Sequence, residues 1–285
     1  MSWQLVARGG ARDTLGEGLF WDKAAGALWW TDIIGQKLWR LTLASGQIDH
    51  WALPAMPGWI IGRAGGGHVL GLNDGVYALE LAPLRLTRLA EVPAGGLDHR
   101  LNDAKADAAG RLWLGTMPKN CQGATGALWR LDATGALARQ QHGITIPNGP
   151  AISPDGGTLY HTDSAARTIW RFRLQADGTL ADQQVHLQFP PGAAPDGMTV
   201  DAEGCLWVAF YGGSCVRRFA PDGGLLRQVD LPTVQITNVC FAGPGLDRLF
   251  ATSAADGRPD DAMAGGLFEL DAGGVTGVAP WLFAG

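Results

Sequence analysis

A short apolar segment recurs six times along the chain: Ala27-Leu28-Trp29-Trp30, His68-Val69-Leu70, Arg111-Leu112-Trp113-Leu114, Thr158-Leu159-Tyr160, Cys205-Leu206-Trp207-Val208 and Arg248-Leu249-Phe250. With Leu28, Val69, Leu112, Leu159, Leu206 and Leu249 taken as equivalent, successive copies lie 41 to 47 residues apart. A period of about 40–50 residues with strand-like composition is the mark of propeller blades. The chain is therefore expected to be all-β, a six-bladed β-propeller around a central channel, with residues 1–285 forming one domain. Turns such as Asp107-Ala108-Ala109-Gly110 and Asp201-Ala202-Glu203-Gly204 precede most copies. Their Asp supplies a side-chain bond to the backbone and their Gly a positive φ, as a hairpin needs. Third strands follow with alternating apolar and polar positions, as in Gly126-Ala127-Leu128-Trp129-Arg130-Leu131. A ring must also close, and Trp3-Gln4-Leu5-Val6-Ala7 is placed to add a strand to the last blade.

Composition agrees with that reading and narrows the partners. Hydrophobic residues make up 46% and charged residues 17%, enough apolar surface for an ordered core throughout. The 42 glycines and 16 prolines are spread without a short period, which implies many tight turns and few helices. The 12 tryptophans are assigned to packing between blades. A net charge of −5, with basic residues no more clustered than Arg217-Arg218, argues against nucleic acid or an anionic membrane as partner. No apolar run approaches the roughly 18 residues of a membrane-spanning helix, and Met1 to Arg8 lacks the pattern of a secretion signal. A cytoplasmic monomer acting on a small molecule is expected. Cys121, Cys205, Cys215 and Cys240 show no C-x-x-C spacing and are expected to be reduced, mostly buried thiols.

The same repeat locates a candidate site. Ten or eleven residues before each reference position stand Glu17, Asn102, Asn148, Asp196 and Asn238; in the second unit the count lands on Gly58 and Trp59. This register opens the first strand of each unit, the innermost in a propeller, so five polar side chains would converge on the channel. Two carboxylates and up to three amide oxygens, without His or Cys, suit calcium, magnesium or manganese, and zinc or ferrous iron where water completes the shell. The competing reading is that Asn-Gly and Asp-Gly recur only because turns recur. Neither a Gly-x-Ser-x-Gly elbow nor a phosphate loop occurs, and the six histidines have no ligand spacing. Arg100 and Asn102 alternate along one strand and would point the same way, toward a polar ligand; equally, Arg100 would be a surface residue paired with Asp98 or Asp103.

At these residues the chain resembles the gluconolactonase family, which includes the senescence marker protein regucalcin and bacterial aldonolactonases. The resemblance rests on Leu15-Gly16-Glu17-Gly18, Arg100-Leu101-Asn102-Asp103, Gly110 to Met117, Asn148 to Gly156, and Pro195-Asp196-Gly197, and spans nearly the whole chain. It implies one divalent metal held by Glu17, Asn148 and Asp196, with Asn102 beside the metal or on the substrate and Arg100 on the substrate. The activity implied is metal-dependent hydrolysis of a sugar lactone to the aldonic acid in carbohydrate catabolism, its water activated by Asp196 or by the ion. Other metal-dependent propeller esterases, acting on aryl esters or phosphotriesters, and a non-catalytic calcium-binding role are the alternatives. One departure matters: where some members carry an acidic sugar-contacting residue, this chain reads Pro118-Lys119-Asn120-Cys121. Lys119 would either favour a substrate with an extra anionic group or sit solvated on a loop.

Overall fold

The structure is a computed structural model that describes residues 2–6, 12–93 and 98–285. Among these residues there are no helices; the strands form six four-stranded antiparallel sheets, the blades of a six-bladed β-propeller. Blades 1 to 5 each use four consecutive strands. Their innermost strands are Gly16–Asp22, Trp59–Gly62, His99–Ala106, Pro147–Ile152 and Ala194–Val200. Blade 6 takes Ile236–Ala242, Arg248–Ser253 and Phe268–Leu270 from the end of the chain and its outermost strand, Trp3–Leu5, from the beginning. The register is Trp3 on Leu270, Gln4 on Glu269 and Leu5 on Phe268, so the ring closes as expected. Ala7 of the expected closing segment, and Met1 and Arg8, lie outside the described residues.

The apolar repeat is the second strand of each blade, and its position explains its composition. In blade 1 every residue of Ala27–Asp32 is buried, whereas Gln47–Ala52 at the rim is exposed or half-buried throughout. A strand covered on both faces reads as a continuous apolar run. Tryptophans fill the wedges: Trp29 stacks on Trp51 at 5.7 Å and Trp30 on Trp39 at 5.8 Å. The turn aspartates do more than turn the chain. Asp107 accepts from the amides of Ala109 and Arg111 and from Trp113 Nε1 at 2.8 Å. Asp201 does the same with Glu203, Cys205 and Trp207 Nε1. Each thus fastens its hairpin to a core indole. The thiols depart in part from expectation: all four are free, with Cys205 and Cys215 buried, Cys240 half-buried and Cys121 exposed on a turn.

Innermost strands of neighbouring blades pack around the ring, blade 6 against blade 1 included. One end of the channel is crossed by the C-terminal segment. Gly277 donates to Leu246 O, Phe283 to Gly62 O and Ala284 to Gly110 O, linking blades 6, 2 and 3.

Candidate functional site

Five of the six innermost strands break register at one level: between Glu17 and Phe20, Leu101 and Ala104, Asn148 and Ala151, Pro195 and Met198, and Ile236 and Val239. A bulge places an extra residue opposite its partner strand and re-aims the side chains there. Glu17, Asn102, Asn148, Asp196 and Asn238 stand at these bulges. The glycines beside them are strand residues, which corrects the competing reading of Asn-Gly and Asp-Gly as recurring turns. Gly18 and Gly149 hold φ of 60° and 70°. A Cβ on Gly18 would lie 2.8 Å from Gly58 O, so the conformation and the close approach both demand glycine.

All five side chains are buried, and hydrogen bonds that cross between blades join Asn102 to Asn148 and Asn238 to Glu17. Arg100 Nη1 donates to Asn102 Oδ1 at 2.6 Å, and Asn102 Nδ2 donates to Asn148 Oδ1 at 2.8 Å. Asn148 Nδ2 donates to Ser164 Oγ, which donates to Pro195 O next to Asp196. From the opposite side Asn238 Nδ2 donates to Glu17 Oε2 at 2.8 Å and to Asp103 Oδ2 at 3.2 Å. Asp196 accepts no side-chain hydrogen bond from the described residues, so its oxygens are the freest in the cluster.

Electrostatics mark the same place. Burial, then the Asp103 carboxylate, pushes the Glu17 carboxyl up to about 7. Burial, then Glu17 and Asp103, drives Asp196 well above the ordinary carboxylate range, and burial raises Asp103 as well. Against these three stands Arg100, itself buried, which lowers its own proton affinity. Its Nε and Nη2 donate to no acceptor among the described residues. Such a cluster lacks positive charge, and a hard cation with oxygen donors fits it. Among the described residues no three His, Cys, Asp or Glu side chains come together as a metal-holding group by themselves.

Comparison with known proteins settles the family. Residues 15–255 match the model of the SMP-30/Gluconolactonase/LRE-like region. This chain belongs to that family. Over 279 residues, and 95% of each chain, it is 34% identical to the 6-deoxy-6-sulfogluconolactonase of Pseudomonas putida. Identity to the pentonolactonase XacC of Haloferax volcanii is 33% over 271 residues and 90% of each chain. The crystal structure of regucalcin from Agrobacterium tumefaciens, described as a calcium-binding protein, superposes with a TM-score of 0.92 at 30% identity, covering 99% of this chain and 97% of that one.

In this member of the SMP-30 family, Glu17, Asn102, Asn148 and Asp196 come together with Arg100. The surface reading of Arg100 is corrected: it is 8% exposed and bonds Asn102, not Asp98 or Asp103. Asn238, found by counting, has its amide committed to Glu17 and Asp103 and its Oδ1 to the Val239 amide, so it holds carboxylates in place. Asp103 and Ser164 were missed. Asp103, 2% exposed, is a third channel carboxylate, and the signal for it was its place directly after Asn102 in a bulged strand. The Pro118–Cys121 stretch starts beside the site, since Met117 and Pro118 pair with Arg100 and His99 and the Lys119 amide donates to Asp98 O.

Proposed function

We propose that this chain is a lactone-hydrolysing enzyme that opens a sugar lactone to its aldonic acid, with one divalent ion held by Glu17, Asn148 and Asp196. The observation that carries the reading is the burial of Glu17 and Asp196 beside Asn148 and Arg100 at the bulges of one channel, in a chain of this family. When bound, the ion would polarise the lactone carbonyl and stabilise charge developing on its oxygen. The protein groups do the rest. Arg100, with free donors, and Asn102, which it orients, hold the sugar's oxygens. Asp196 accepts a proton from water as the water oxygen bonds to the carbonyl carbon. The ring C–O bond then breaks, and the same carboxyl returns the proton to the departing ring oxygen. At neutral pH the new acid ionises, so each turnover releases one proton.

The lactonases of Pseudomonas putida and Haloferax volcanii support sugar lactones as the substrate class, and we assign the reaction to carbohydrate catabolism. Lys119 is exposed on the loop at the mouth, where a substrate with an anionic tail would meet it. The test is proton release on adding five- and six-membered aldonolactones, with and without an anionic substituent, to metal-stripped protein and to protein refilled with calcium, zinc, manganese, magnesium or ferrous ion. An aryl ester and a phosphotriester complete the panel. Metal-dependent opening of a lactone supports the reading. Turnover of the ester or phosphotriester alone transfers it to another esterase class, and no turnover with calcium-dependent stabilisation leaves a binding role.

A further inference from the structure

The second strand of blade 5, Leu206–Tyr211, ends at the bulged end of the channel, where half-buried Tyr211 pairs with Ala194, two residues before Asp196. Side chains alternate along a strand. Trp207 and Ala209 pack with Ile236 and Val239 of blade 6, so Tyr211, on the same face, leans toward the seam between blades 5 and 6. There its hydroxyl meets the side chain of Gln235, which is 7% exposed and directly precedes the innermost strand of blade 6. The Gln235 amide nitrogen stands 3.1 Å from both Ala254 O and Asp256 O, and its oxygen faces the phenol. The reverse orientation would set that oxygen against two carbonyls.

Both amide hydrogens are thus spent on carbonyls, and the amide oxygen can only accept. The phenol's single hydrogen goes to it. Tyr211 therefore presents lone pairs and no donor, and no described residue donates to them. Burial, then the Asp196 and Asp256 carboxylates, raises the proton affinity of the phenol, so it stays a neutral hydroxyl within electrostatic reach of the site.

We propose that Tyr211 determines substrate specificity, its oxygen accepting one hydroxyl hydrogen of the bound lactone across the channel from Arg100. Arg100 can only donate and Tyr211 can only accept, so the pair sorts the ligand's oxygens: a carbonyl or anionic oxygen toward Arg100, a hydroxyl toward Tyr211. An anionic group on the Tyr211 side would also face Asp196 and Asp256. The proposal rests on the lactonase reading and adds to it a residue that chooses among lactones.

The test pairs Tyr211→Phe with the lactone that the metal-loaded full chain opens fastest and with the singly deoxygenated analogues of that lactone. For the wild type, one analogue is expected to lose about five- to tenfold in kcat/KM, mostly through KM, and Tyr211→Phe to lose the same factor on the parent lactone. On that analogue the two proteins should be equal, because the variant removes an acceptor the substrate no longer uses. A tyrosine that only pins blade 5 to blade 6 would weaken every substrate alike and lower the melting temperature; that outcome, or an unchanged KM, overturns the proposal. Should the wild type open no lactone, the lactonase reading fails, and calorimetric titration with gluconolactam decides about Tyr211 separately. Binding at least about fivefold weaker in Tyr211→Phe supports the acceptor role, and equal or absent binding in both proteins overturns it.

Discussion

Blade 2 and its five neighbours share one repeat, yet only the five present a polar head at the level of the site. Their innermost strands bulge there, and that of blade 2 does not: Trp59, Ile60, Ile61 and Gly62 pair with Gly71, Leu70, Val69 and His68 in unbroken register. Where the others carry Glu, Asp or Asn, blade 2 has Gly58, whose missing Cβ would lie 2.5 Å from Asn102 O. The next residue, Trp59, is 1% exposed and lays its ring over Gly71. Blade 2 therefore brings backbone, not chemistry, to the axis. Its thinness lets the strands carrying Glu17 and Asn102 draw in on either side, since a Cβ on Gly18 would also strike Trp59 Cα. The lesson is a division of labour: bulges with glycine serve the site, and a regular strand with a large ring serves the wall.

The strongest way to break this comparison is at a bulge. Asp196→Asn keeps shape and burial but removes the base and one carboxylate; turnover is expected to fall by about 10²–10⁴-fold, with a much smaller change in KM. Steady-state proton release measures it, and a variant with wild-type turnover would remove Asp196 from its proposed role. Trp59→Ala in blade 2 should do the reverse. It empties a full indole site and is expected to cost about 3–5 kcal/mol in urea unfolding, while the folded fraction keeps turnover within a few-fold. Because Trp59 Nε1 has no hydrogen-bond partner among the described residues, the loss is one of packing alone. A Trp59 variant as inactive as Asp196→Asn but fully stable would erase the distinction between the blades.

The bulges also explain what could be read in advance. Blade count, the apolar second strands, closure by Trp3–Leu5 and the five polar positions followed from a spacing that the bulges leave intact, because each of the five strands carries one. Arg100 beside Asn102 was legible as alternation, since both precede the slip between Leu101 and Ala104 completing itself. Asp103 was not, because alternation assigns it to the opposite face and the inserted residue overrides that assignment. Nor was the crossing of the far mouth by the C-terminal segment, which has no period and is held mainly by backbone bonds such as Phe283 N to Gly62 O.

Gly18→Ala sharpens the comparison more gently. The substitution places a side chain at φ of 60° and against the backbone of Gly58 and Trp59, which cannot swing away as a side-chain tip could. A loss of at least about 1–2 kcal/mol from the left-handed conformation is expected, plus a displacement of blade 2 from blade 1. Chemical denaturation reads the first, and a drop in turnover larger than the stability loss explains reads the second. Full stability and activity would show that blade 2's close approach is incidental.

Away from the channel the same blades can bury a polar group without giving it work, and His161 shows what that costs. It occupies in blade 4 the register that Gly71 holds in blade 2, is 1% exposed, and neither ring nitrogen has a partner among the described residues. Burial drives its imidazole from 6.5 down to about 3. Between those values the unfolded chain binds a proton that the folded chain refuses. His161's share of stability is therefore fully present above about pH 6.5 and is lost as pH falls toward 3, at up to about 1.4 kcal/mol per pH unit. His161→Leu keeps an apolar side chain in the slot and removes that slope. Between pH 7 and 4.5 the urea midpoint of the wild type should fall relative to that of His161→Leu; parallel lines would mean that the imidazole titrates alike in the folded and unfolded chains, and that water reaches it behind the channel wall.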